Sequence, residues 1–224
     1  MKKPVVDYRA LRFSNLTSPQ YRHLLLLLGW VVYFALYFLT ENLIPAEACT
    51  PVHMWLDDVI PFQEGFLIPY VFWYLLIVVS LGYFLLYNVE QFKNLQTFII
   101  ITQALAMLAY IVFPTRQDLR PVVFPRDNFL TDCVAVLYAF DTNTGVCPSL
   151  HVAYSLGIAS TWLKDRGAGV AWKIFVVIAV ALICLSTMFI KQHSAVDFFA
   201  ALPVCLIAEI VVFGRYWRGK WKKE

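Results

Sequence analysis

Long apolar runs separated by short polar stretches set the pattern of this chain. Six of them, 24–40, 66–87, 95–113, 149–163, 170–190 and 196–213, read as membrane spans. A bilayer core takes about 20 helical residues; the first and fourth runs fall short of that, so their flanks must share the interface. The runs are continuous rather than alternating, which predicts helices, and in lipid only helices or closed barrels satisfy their own backbone groups. The predicted fold is an all-α integral membrane protein, a six-helix bundle over residues 24–213, preceded by a basic segment 1–23 and followed by a basic tail 214–224.

Composition strengthens this reading. The chain is 60% apolar and 17% aromatic, whereas soluble domains run near half apolar. The net charge of +3 becomes informative once it is sorted by loop. Fourteen of the 18 Lys and Arg residues fall on one side of the six-span layout, which by the positive-inside rule makes both termini cytoplasmic. The other side holds only Arg116, Arg120, Arg126 and Lys191. The expected setting is a bacterial cytoplasmic membrane with the site facing outward, among membrane lipids and with no nucleic-acid partner.

The candidate chemistry lies on that outer side. If residues 193–197 are helical, a four-residue step puts His193 beside Asp197, giving a histidine oriented by a carboxylate and suited to act as nucleophile or base. His151, at the mouth of the fourth run, is the complementary acid. Arg116, Arg120 and Lys191 are the fixed cations that an anionic substrate would need. Pro148 and Ser149 read as a helix start, so Ser149 and the Leu150 amide could add to an anion site.

The remaining polar positions are assigned more modestly. Glu209 lies deep in the last run and is expected to meet a basic group near the cytoplasmic side. The acidic loop 41–65 has no Lys or Arg and is expected to fold back as a lid or rim, with no role for His53. Cys133 and Cys147 are the cysteines placed to pair in an oxidising compartment. Ala46-Glu47-Ala48 resembles a signal-peptidase site, but the segment is read as retained. No zinc spacing and no internal repeat is evident, which weakens an inverted-repeat transporter reading.

Arg120-Pro121, then Pro148-Ser149-Leu150-His151, then Ser186-Thr187, His193 and Asp197 resemble the three motifs of the type-2 phosphatidic acid phosphatase superfamily, K-x6-R-P, P-S-G-H and S-R-x5-H-x3-D. The similarity covers residue 114 to the end. Phe113 stands where the first motif has lysine, Leu150 where the second has glycine, and Thr187 where the third has arginine. The last two departures look more like the inositol phosphorylceramide synthase branch.

The resemblance implies a six-helix fold and a metal-independent, cofactor-free enzyme. His193 would form a phosphohistidine, Asp197 would orient it, and His151 would serve as acid and then base. Arg116, Arg120, Lys191, Ser149 and Leu150 would hold the phosphoryl oxygens. The expected function is a lipid phosphate phosphatase acting on a phospholipid or isoprenoid phosphate. A phospholipid headgroup phosphotransferase is the alternative enzyme, and an inactive lipid-binding relative or a transporter the non-enzyme one.

Overall fold

The computed structural model describes residues 3–221. Its helices are α1 (Leu28–Leu43), α2 (Trp55–Val59), α3 (Leu67–Tyr87), α4 (Val89–Val112), α5 (Phe129–Phe140), α6 (Leu150–Lys164), α7 (Val170–Phe189) and α8 (Ala195–Trp221). Two short parallel strands, β1 (Thr50–Pro51) and β2 (Thr115–Arg116), join the first and second long loops. Lys2, Lys222 and Lys223, which entered the charge sorting, lie outside the described residues.

Five segments are long and apolar enough to cross a bilayer: Arg22–Leu43, Glu64–Tyr87, Val89–Val112, Val170–Phe189 and Ala195–Gly219. The chain is thus an all-α, multi-pass membrane protein. The fourth expected span differs from the rest. α6 has 15 residues, about 22 Å at 1.5 Å per residue, and packs against α3, α4, α7 and α8. Val152, Ala153, Tyr154, Ser155 and Ile158 are buried among them. A helix screened from lipid by its neighbours needs neither full length nor an unbroken apolar surface, which explains buried Ser155 and Thr161 in its middle and last turns.

The closest approach in this core is at Gly157, where an added Cβ would stand 2.5 Å from Phe98 Cδ1 and 2.8 Å from Cε1. Phe98 is a buried ring within the core cluster. Gly157→Ala is therefore expected to cost about 1–3 kcal/mol by overpacking. A lowered Tm of the purified protein checks this, and an unchanged Tm contradicts it.

Polar loops gather at the two ends of the bundle. At one end, residues 41–66, 113–149 and 190–194 interlock: Gln63 N donates to Phe189 O, and Thr50 N to Pro114 O. At the other end, Val5 N donates to Leu86 O and Asn88 Nδ2 to Asp165 Oδ1. The N-terminal segment is therefore fastened to the bundle rather than loose, and Tyr8 Oη also bonds Leu85 O and His23. The basic tail is not separate either, since α8 continues to Trp221 through Gly214 and Gly219.

α1 stands apart. It packs on α4, where Trp30 Nε1 donates to buried Gln96, and none of its residues is buried. α5 lies across the loop end with Phe129 and Phe140 exposed, alongside fully exposed Val122.

Candidate active site

The His193–Asp197 pair forms as expected, but by a different local route. α8 begins at Ala195, so His193 lies in the turn before it and the two are not one helical step apart. Asp197, in the first turn of α8, reaches back to accept from Ser194 N at 3.0 Å and faces His193 Nδ1 at 3.1 Å through the same Oδ2. One carboxylate thus caps the helix and orients the ring, and its place near the positive end of the helix dipole favours it. A carboxylate oxygen can only accept, so Nδ1 carries the hydrogen and Nε2 presents a lone pair. Asp197 is fully buried and His193 nearly so.

His151 sits in the first turn of α6, which Ser149 caps. Its ring stacks on Tyr70, at 4.5 Å between centroids, and packs tilted against Trp73, at 4.0 Å. The ring lies 5.6 Å from that of His193, and Nε2 has no hydrogen-bond partner. The motif is pinned from both sides, because Ser149 N donates to Asp197 O at 3.1 Å and Tyr110 Oη to Pro148 O at 2.8 Å. α4, α6 and α8 therefore meet where the two histidines face each other.

Both rings line a cavity of about 480 Å³. Its walls are α1, with Trp30, Tyr33 and Tyr37, and α3, with Trp73, Tyr74 and Ile77. Leu150 lines it too, whereas Ser149 is buried beneath, using its Oγ to cap Val152 N.

The expected cations do not line this cavity. Arg116 pairs with Asp118 at 3.1 Å and donates to Ala46 O. Arg120 spends two nitrogens on the carbonyls of Tyr138, Asp141 and Thr142 and lies over the Tyr138 ring. Burial lowers the Arg120 pKa, partly offset by the charge of Asp141. Lys191 donates to Asp57 O at 2.8 Å and to Ile60 O at 2.5 Å, and burial likewise lowers its pKa against the opposing pull of Asp57 and Asp58. Arg126 forms a fork on Glu64, which raises the guanidinium pKa. All four cations at this end are therefore engaged by the protein itself: Arg116 and Lys191 tie loops through backbone carbonyls, Arg120 closes its own loop, and Arg126 joins Glu64.

Sequence reasoning missed Asp57, which is 5% exposed. Its carboxylate accepts from Met54 N at 2.9 Å, Ser194 Oγ at 2.6 Å and Ala195 N at 2.8 Å. The loop 41–65 thus folds back onto the His193 turn and holds it through Asp57. The unpaired acidity of that loop was the only signal. Asp141 and Gln192 were missed too: Asp141 Oδ2 accepts from Gln192 Nε2 at 2.8 Å and Tyr70 Oη at 3.2 Å at the cavity's loop end.

Elsewhere the expectations divide. Glu209 meets Lys164 at 2.6 Å, with Ser160 and Trp217 also bonded to it, at the end of the bundle away from the histidines. His53 is exposed and pairs with Asp58. All five cysteines are free, so Cys133 and Cys147 are not joined; Cys133 packs in the α5 cluster around Val134, and Cys147 stands by Asp197. Burial, then the Asp197 charge, pushes the Cys147 thiol up to about 12. Because the thiolate is the reactive form, Cys147 is expected to resist N-ethylmaleimide at neutral pH, which peptide mass mapping checks; rapid labelling contradicts it. No family model, no curated protein and no solved structure matches this chain, so its activity has to be read from the site itself.

Proposed function

We propose that this protein transfers or hydrolyses a phosphoryl ester carried on a lipid, through a phosphohistidine on His193. The supporting observation is the pair of histidines: His193, its Nδ1 engaged by buried Asp197, opposite His151, whose Nε2 is unpartnered, at 5.6 Å between rings. In this reading Nε2 of His193 attacks phosphorus as the ester P–O bond breaks, and His151 gives its proton to the leaving oxygen. His151 then takes a proton from water or an alcohol as that oxygen attacks phosphorus and the P–N bond breaks. The first-turn N–H groups of α6 supply donors to the phosphoryl oxygens. In this reading α6 counts as a span and makes six with the other five, both termini are cytoplasmic, and the histidines face outward.

A specific observation favours the headgroup transferase over the monoester phosphatase. Arg116, Arg120 and Lys191 are engaged by backbone carbonyls and do not line the cavity. A phosphodiester carries one negative charge where a monoester carries up to two, and so asks less neutralisation of such a site. Following free phosphate and lipid products together, with and without an alcohol acceptor, distinguishes the two. Free phosphate without acceptor establishes hydrolysis, a new phospholipid only with acceptor establishes transfer, and neither product from any lipid phosphate overturns the reading.

A further inference from the structure

The cavity has a polar end and an apolar end. Asp141, Thr142, Thr144 and Gln192 lie at the loop end, and Ile77, Val78 and Leu81 follow two to three turns further along α3. No Lys or Arg is among the lining residues. The Asp141 carboxylate takes hydrogen bonds from two neutral donors, Tyr70 and Gln192. Arg120 bonds the backbone oxygen of Asp141 and not its carboxylate.

Gln192 is 3% exposed, and its Oε1 has no partner. Its orientation is settled, since Nε2 must face the acceptor-only Asp141 carboxylate. A buried acceptor without a donor costs about 1–3 kcal/mol, which a ligand bearing N–H groups would relieve. Tyr33, Tyr37, Trp73 and Tyr74 also line the cavity, and aromatic rings attract cations over their faces.

We propose that the loop end of this cavity binds a primary ammonium group, held by Asp141 and Gln192 Oε1 within the aromatic wall, with the attached alkyl chain lying along α3. This deepens the lipid phosphoester reading by naming the headgroup as an aminoalkyl one, and it rests on that reading only for the chemistry, not for the binding. A carboxylate with neutral partners repels an additional phosphate but suits a positive charge a few bonds away from one.

The test uses four probes with the same chain, dodecylamine, dodecyltrimethylammonium, dodecanol and dodecyl phosphate, titrated against the full-length protein in non-ionic detergent with Tm as readout. Dodecylamine is expected to raise Tm at concentrations about tenfold below those the other three require. Asp141→Asn and Gln192→Met are expected to remove that preference separately, so a folding failure of one leaves the other decisive. Equal shifts from dodecylamine and dodecanol would mean that only the chain is bound, and a preference kept in both variants would place the cation elsewhere; either overturns the proposal. His193→Ala is expected to keep the dodecylamine shift. Turnover of lipid phosphates without an amine preference would sink this inference alone, whereas an amine preference without turnover of any phosphoester would sink the catalytic reading alone.

Discussion

His193→Ala is expected to bring phosphoester turnover down to background, a loss of about ten-thousandfold or more. The ring supplies the attacking Nε2, with its Nδ1 engaged by Asp197 and the His151 ring 5.6 Å away. His151→Ala should behave differently. It removes the acid that protonates the leaving oxygen, so esters with good leaving groups, such as a p-nitrophenyl ester, should still react slowly while alkyl esters do not. Single-turnover assays on both ester types measure this, and the same residual activity in the two variants on both esters would refute the division of roles.

A large structural effect is expected at Asp57. Alanine there strands Met54 N, Ser194 Oγ and Ala195 N, in a place where each abandoned buried donor costs about 1–3 kcal/mol. Even with partial rehydration, Asp57→Ala should lose at least about 3 kcal/mol of stability and show a clear fall in Tm. Activity should drop beyond what the unfolded fraction explains, because the freed segment carries His193 and begins the helix whose cap is Asp197. Asp57→Asn keeps one acceptor and should lie between. Wild-type Tm and turnover in Asp57→Ala would mean that the turn holds its shape through Asp197 and the grip of Lys191 alone.

The spans were legible because bilayer thickness and backbone satisfaction leave few ways to write them, and His193 with Asp197 because both lie within one turn of chain. The partner of Glu209 followed from depth, as Lys164 shows. The fate of the cations was not legible. Arg120 reaches carbonyls 18 to 22 residues away, and Lys191 reaches Asp57 and Ile60 across more than 130, distances over which a sequence says only that positive charge is present. For the same reason Asp57, 137 residues from Ser194, could not be assigned. That α6 is enclosed by its neighbours was not legible, because apolar residues read alike whether they meet lipid or other helices.

α1 leans on α4 and leaves its aromatic side to the cavity it shares with α3. A lipid of the kind proposed, were it to reach the histidines between these two helices, would arrive by two-dimensional diffusion in the leaflet. Its effective concentration is then a mole fraction of the bilayer rather than a molarity of the suspension. Diluting the substrate with inert lipid should slow the protein even when the amount in the tube is constant, and adding buffer should not.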